Sequence, residues 1–262
     1  MSGKIKEGLS VVVLTKNEKE ELRKCLSCLK NWADEIVIVD DCSDKETLKI
    51  CDEFQCKIIV HSLNNDFSFQ RNLGTEKAKG RWIFHLAPDE WLSEETKKKI
   101  EDALNGNTSF VAFQLKRKNV FLGYSLKYCG AYSWDTRIFK KGFAYYKGKV
   151  HETLIVKGKV GKTEAEIVHF AFDNIKEVIS TGNFYTEIEA EEFVKSRDSV
   201  SFREIRYRLT WKSLKLFWKL YVKKKGYKDG MYGLAWSILN VIGPQIRWLK
   251  IWEKALRERK LT

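Results

Sequence analysis

Arg81-Trp-Ile-Phe-His-Leu-Ala-Pro-Asp-Glu-Trp91 reads as a buried strand that stops at two carboxylates. Trp82-Ile83-Phe84 is the β-type run, and Asp89 and Glu90 follow where it ends. In an open α/β sheet, ligands gather beyond the carboxyl ends of the strands. An acid placed there can hold a hard divalent cation, and the cation can hold a diphosphate. Standing alone, Pro88-Asp89-Glu90 would be a solvated turn that caps the next helix. The flanking sequence argues for more.

Upstream, the β-branched run Leu9-Ser-Val-Val-Val-Leu14 predicts a buried strand, Glu35-Ile-Val-Ile-Val39 a second and Lys57 to His61 a third. Helices are predicted between them. Asn17, with Glu20 three residues on, is placed as the N-cap of a helix whose apolar stripe is Leu22, Cys25, Leu26 and Leu29. The second spans 44–54, with Leu48, Cys51 and Phe54 inward. A third runs from Phe67 to Lys79, and Ser93 caps a fourth that reaches Leu104. Strands alternating with helices predict βαβ units and a parallel sheet. Beyond Ser109 the pattern changes. Phe110–Leu115, Ser133–Lys140, Gly142–Tyr146 and Glu164–Phe170 read as strands of a mixed sheet extension. From Asn174 the chain turns helical, and its last sixty or so residues predict basic aromatic helices broken at Gly226, Gly230 and Gly243-Pro244.

The 262 residues are 44% hydrophobic, enough for one large core or a core plus a smaller lobe. The apolar run at Leu9–Leu14 is too short for a signal-peptide core, and the six cysteines lack an extracellular spacing, so a cytosolic protein is expected. Cys25-x-x-Cys28 lies in a helical pattern with no second CxxC, and reads as two small buried groups on one helix face. Charge is uneven. Residues 201–262 hold sixteen Lys/Arg against four Asp/Glu, nearly all of the net +13, together with five of the nine tryptophans. Trp211 to Lys223 interleaves aromatics with lysines, and Met231 to Gly243 is uncharged. That stretch is shorter than the ~20 apolar residues of a membrane span. A peripheral contact with the inner-membrane surface fits, as does homo-oligomer formation through these helices. No helix-turn-helix, zinc or RNP signature supports a nucleic-acid partner. No Gly-rich basic loop after the first strand supports a nucleotidyltransferase, the other α/β alternative.

If the strands are adjacent and parallel, their ends converge. The first delivers Thr15-Lys16-Asn17-Glu18, the second Asp40, Asp41 and Asp44, and the strand at 82–86 delivers Asp89. Asp41 can accept from a base N–H or a ribose hydroxyl. Arg71, in Gln70-Arg-Asn72, can meet a phosphate.

Val12-Val-Leu-Thr-Lys-Asn-Glu18, Trp32-Ala-Asp-Glu-Ile-Val-Ile-Val-Asp40 and Gln70-Arg-Asn72 resemble family 2 glycosyltransferases. Val150-His-Glu152, Gly226-Tyr-Lys-Asp-Gly230 and Trp252-Glu253 are similar to the lipopolysaccharide-core β-glucosyltransferase-like branch. The resemblance implies a GT-A (Rossmann-like) nucleotide-diphospho-sugar transferase fold, α/β with a mixed central sheet and here a basic helical extension. It implies an inverting hexosyl transfer from a nucleotide-diphosphate sugar, UDP-sugar favoured, to a saccharide or lipid-linked acceptor, with Mg²⁺ or Mn²⁺. Thr15, Asn17, Glu18 and Asp41 would line the nucleoside pocket, Gln70 and Arg71 the ribose or diphosphate, and Arg137 a phosphate or substrate. Asp89 would hold the metal, and Glu152 would be the base. Two positions depart from the family pattern. Ala87 replaces the first aspartate of Leu-Asp-Ala-Asp-Glu, and Lys16 stands where many members carry an aromatic residue. The expected division is a nucleotide-sugar half at 1–108, an acceptor-side half at 109–173 and a membrane- or partner-binding extension at 174–262.

Overall fold

The structure is a computed structural model that describes residues 5–106, 109–149 and 152–262. Its elements are β1 (Leu9–Thr15), α1 (Lys19–Leu29), β2 (Glu35–Asp40), α2 (Lys45–Glu53), β3 (Lys57–Val60), α3 (Phe67–Lys77), β4 (Trp82–Leu86), β5 (Glu90–Trp91) and α4 (Glu94–Asn105). There follow β6 (Phe110–Phe121), β7 (Tyr124–Ser125), β8 (Tyr132–Lys140), β9 (Ala144–Lys147), β10 (Thr153–Val156) and β11 (Lys159–Phe172). Helices α5 (Ile175–Lys195), α6 (Phe202–Tyr207), α7 (Ser213–Phe217) and α8 (Gly230–Arg257) complete the described chain.

The main sheet has the order β3-β2-β1-β4-β8-β6-β11-β5, with β7 on β6. Strands β3, β2, β1 and β4 are parallel. The pairs β4–β8, β8–β6 and β11–β5 are antiparallel. A parallel block joined to antiparallel strands is the mixed sheet of the GT-A fold expected above. β9 and β10 form a separate two-stranded ribbon.

Strands buried on both faces need continuous apolar runs, and β1 supplies one. Leu9, Val11 and Val13 pack with Leu22, Cys25, Leu26 and Leu29 of α1. Val12 faces the other way, into a cluster with Val37, Val39, Ile83 and Phe139. Helix α3 covers that second face closely, because a Cβ on Gly74 would lie 2.4 Å from Val12 Cγ1 and 2.9 Å from Val39 Cγ2. Cys25 and Cys28 are buried on the inner face of α1, as expected of its stripe. Asp44, Asp66 and Ser93 cap α2, α3 and α4 by accepting from Thr47, Phe69 and Thr96 N–H.

Asn17 does not cap α1. The cap position is Glu18, which makes no side-chain cap hydrogen bond. Asn17 adopts a left-handed φ of 59°. Its N–H donates to Ser43 Oγ at 3.0 Å and its Oδ1 accepts from Asp44 N–H at 2.8 Å. Cross-linking the loops after β1 and β2 overrides the local cap, and asparagine tolerates that backbone.

The chain forms two compact units, Met1–Lys118 with Tyr132–His169, and Asn119–Ala131 with Phe170–Thr262. In the second, α8 packs on α5 through Ala190, Val194, Trp248, Ile251 and Ala255. Ion pairs from Glu187 to Lys250 (3.0 Å) and Lys254 (2.6 Å) flank that contact. The expected break at Gly243-Pro244 does not occur, and α8 runs through Pro244. An interior proline costs about 3 kcal/mol, but buried Val241 and Trp248 hold the helix on either side of it. The breaks at Gly226 and Gly230 do occur, around a 3-10 turn over Gly226–Asp229. Asp229 is buried and accepts from Lys127 N–H (3.1 Å) and Tyr128 N–H (3.0 Å), so this motif locks the second unit. Among the described residues no helix is long and apolar enough to cross a membrane.

Candidate active site

Parallel pairing brings the ends of β1, β2 and β4 side by side, with Thr15 opposite Asp40 and Val13 opposite Leu86. Thr15 is buried, and its hydroxyl donates to Glu18 Oε2 at 3.3 Å. Lys16 N–H donates to the same oxygen at 3.2 Å. Glu18 as a residue reaches solvent, yet its carboxyl is turned inward onto these donors. Desolvation, reinforced by the charge of Asp89, raises its pKa to about 7. Asp41 accepts from Leu63 N–H at 2.7 Å and from Lys16 Nζ at 2.7 Å. Lys16 therefore occupies Asp41 through a side chain that is 63% exposed and free to move.

Asp89 and Glu90 divide their work. Glu90 is not in a solvated turn, because it starts β5 and is buried. Its carboxylate accepts from Arg117 Nε at 2.7 Å, an Arg137 terminal N–H at 3.3 Å and Ala87 N–H at 2.9 Å. Burial alone would push this acid up, but Arg137, Arg117 and the Ala87 N–H hold it below the usual carboxylate range. Arg137 is thereby committed to Glu90. Asp89 Oδ2 lies 3.0 Å from His169 Nε2, and Asp89 Oδ1 is buried without a hydrogen-bond partner. The pairing of β5 with β11 creates this meeting by setting His169 opposite Glu90.

Gln70, Arg71 and Asn72 reach three different places. Gln70 is buried and its Nε2 donates to His61 O at 2.7 Å. Asn72 exchanges two hydrogen bonds with the Tyr146 main chain, at 2.9 and 2.8 Å. Arg71 Nε donates to Glu152 Oε1 at 2.5 Å, both side chains being about 15% exposed. The Arg71 guanidinium lies 5.2 Å from the Tyr146 ring centroid. Tyr146 is within electrostatic reach of Arg71, Arg137, Glu152 and Glu90, and Arg137 is within reach of Asp89, so these groups form one cluster. Beneath them His85 is fully buried, its Nε2 2.8 Å from Thr75 Oγ1, and burial holds it neutral. Val150 and His151, the first two residues of the Val-His-Glu motif, lie outside the described residues.

The model of the family described as glycosyl transferase family 2 matches residues 10–156, more than half of the chain. The chain belongs to that family. An uncharacterized glycosyltransferase of Rickettsia conorii is 23% identical over 274 residues, covering 100% of this chain and 95% of its own length. The lipopolysaccharide core biosynthesis glycosyltransferase LpsC of Rhizobium meliloti is 24% identical over 260 residues, covering 96% of this chain and 94% of its own. Among solved structures, S. aureus TarS superposes with a TM-score of 0.47 at 13% identity, covering 96% of this chain and 92% of the other. The protein is a family 2 glycosyltransferase.

Of the residues expected to form the site, Thr15 is hydrogen-bonded to Glu18, Asp41 to Lys16 and Arg71 to Glu152, while Arg137 is tied to Glu90 and Asp89 meets His169. Asn17 joins the loops after β1 and β2, and Gln70 holds the His61 carbonyl. The sequence reading gave no role to Tyr146 or His169, and it saw Glu90 only as the second acid beside Asp89. His169 carries a signal that could have found it. It is the one histidine on the inward-facing positions Gly161, Thr163, Ala165, Ile167, His169 and Ala171 of β11.

Asp89 and His169 suit a divalent cation. One carboxylate oxygen is buried and unpartnered, and an imidazole nitrogen stands beside the other. Among the described residues no group of three or more His, Cys, Asp or Glu could hold a metal. A cation held here would rest on two side chains, water and the donor's phosphates; the carboxylate, water and phosphates are ordinary ligands of Mg²⁺ and Mn²⁺, and the imidazole is a softer addition.

Proposed function

We propose that this enzyme inverts the anomeric centre as it moves a hexose from a nucleotide-diphosphate sugar, UDP-linked by preference, to a saccharide or lipid-linked acceptor. The observation that carries this reading is the single cluster that contains both Asp89–His169 and Glu152–Arg71. One pair suits the departing diphosphate and the other the incoming hydroxyl. Asp89 and His169 would hold the cation, Mn²⁺ or Mg²⁺, which neutralises charge developing on the diphosphate. The acceptor oxygen bonds to the anomeric carbon as the carbon–oxygen bond to the diphosphate breaks and its electron pair leaves with the diphosphate. Glu152 Oε1 is held by Arg71, so Oε2 takes the acceptor's proton. Residues 1–108 would bind the donor, 109–173 the acceptor and 174–262 the membrane or a partner. The role of the Rhizobium meliloti relative in lipopolysaccharide core biosynthesis supports lipopolysaccharide core or a related surface polysaccharide as the product.

The test is a panel of UDP-, GDP- and CMP-sugars with Mn²⁺, Mg²⁺ or EDTA, read by thermal shift and slow donor hydrolysis. One nucleotide should stabilise the protein in metal and not in EDTA, and Asp89→Ala and His169→Ala should each abolish the metal-dependent part. A shift that survives EDTA and both substitutions would remove these residues from the metal.

A peripheral location on the cytoplasmic membrane face belongs to the same reading. Tyr207, Trp211, Leu214 and Trp218 recur at spacings of four, three and four and are all exposed. Lys212, Lys215 and Lys219 beside them are exposed too. Aromatics at headgroup depth with lysines over anionic lipid fit that pattern. Each lysine near such a surface contributes about 1 kcal/mol. Replacing all three by Gln should weaken binding to phosphatidylglycerol vesicles roughly 100-fold in a sedimentation assay. Equal sedimentation with purely zwitterionic vesicles would defeat the idea.

A further inference from the structure

Among the described residues, Arg71 is the one anchor of the Glu152 carboxylate. The residue lies just before β10, which pairs with β9 alone. The backbone that carries Arg71 is rooted firmly. Its neighbours Gln70 and Asn72 are bonded to the His61 carbonyl and the Tyr146 main chain. Its guanidinium lies against the buried Tyr146 ring, which limits how it can turn. A guanidinium carries five N–H donors. Nε–H goes to Glu152, and no hydrogen bond from the other four exists among the described residues. Those four form the planar fork that matches a phosphate bidentately.

We propose that Arg71 is a positioning residue shared by the two substrates: it holds Glu152 through Nε while its outer N–H edge takes the donor's diphosphate. Donor occupancy then fixes the guanidinium, and the guanidinium fixes the base. An empty donor pocket leaves the arginine, and with it the carboxylate, less restrained, so deprotonation of the acceptor is tied to the presence of the leaving group. This rests on Glu152 as the base.

The experiment is a double-mutant cycle on the nucleotide sugar that the donor panel identifies. Turnover at saturating donor and donor affinity are measured for the wild type, Glu152→Gln, Arg71→Met, Arg71→Lys and the Arg71→Met/Glu152→Gln pair. Arg71→Met should weaken donor binding roughly tenfold or more and also lower saturated turnover about as far as Glu152→Gln. The pair should fall no further than Glu152→Gln alone, since residues acting as a unit are not additive. Arg71→Lys keeps the charge for the diphosphate but has no second edge to hold Glu152 at the same time, so it should recover donor binding better than turnover. Added guanidinium ion should restore part of the Arg71→Met turnover and none of the pair's, which a folding defect would not do. Arg71→Met that raises KM with saturated turnover intact would overturn the coupling, as would losses that multiply in the pair. Full turnover in Glu152→Gln is a separate failure, of the base itself, and takes the coupling with it.

Discussion

Glu152→Gln should lower turnover by about 10²- to 10⁴-fold, the usual worth of a general base, and leave nucleotide-sugar affinity unchanged. The substitution is nearly isosteric. The amide oxygen of Gln can still accept from Arg71 Nε, which now bonds to Glu152 Oε1 at 2.5 Å. What disappears is a group able to take a proton from the attacking hydroxyl. An effect confined to kcat identifies an interaction made in the transition state and not in the ground state. Steady-state rates, alongside donor affinity from titration, decide it. Wild-type turnover in the variant would leave Glu152 as a structural partner of Arg71.

The largest expected effect on stability lies one residue from Asp89. Glu90 is buried, and two arginines and a main-chain N–H converge on it. Removing one partner of a buried ion pair leaves the other charge uncompensated, at about 3–5 kcal/mol. Glu90→Gln should cost that much in urea denaturation, and because Arg137 then lacks its main partner, the loop that carries Asp89 should loosen with it. The pH dependence follows the same carboxylate. Its folded pKa lies below the ordinary glutamate value, held there by Arg137 and Arg117 against burial. Its contribution is therefore fully present above about pH 4.3 and is lost as the pH falls through the folded pKa. The wild type should lose stability along that acid limb, and Glu90→Gln should show a flatter one. A cost under about 1 kcal/mol would mean that the surrounding chain, not this carboxylate, sets the loop.

Much of the parallel half was legible because its signals are local. Val11-Val12-Val13 and Ile36 to Val39 are β-branched runs, and Asp44, Asp66 and Ser93 stand at helix starts. The convergence of Thr15, Asp41 and Asp89 followed from the strand order alone. What escaped depends on pairing between distant segments. His169 meets Asp89 across 80 residues, and only the β5–β11 register brings them together. Glu90 read with Asp89 as one of two acids at a strand end, because nothing in Pro-Asp-Glu shows that Arg117 and Arg137 will arrive from β6 and β8. Asn17 failed as a cap for a similar reason, since its partners Ser43 and Asp44 lie beyond the next strand. Pro244 was read as a break from local rules, whereas α8 continues through it, with Trp248 and its neighbours packed on α5.

The grip of Gln70 and Asn72 on main-chain atoms has a consequence for how this protein can drift. The His61 carbonyl exists whatever side chain that position bears, and the N–H of residue 146 exists for every residue but proline. The gripping residues must keep their chemistry, while the gripped ones are released from any duty toward them. What limits substitution at positions 61 and 146 is their own rings, His61 against Phe69 and buried Tyr146 against Arg71, His85 and Phe139, and not this grip. As far as the grip is concerned the constraint is one-sided: the helix carries the spelling, and the main chain that it holds accepts many texts.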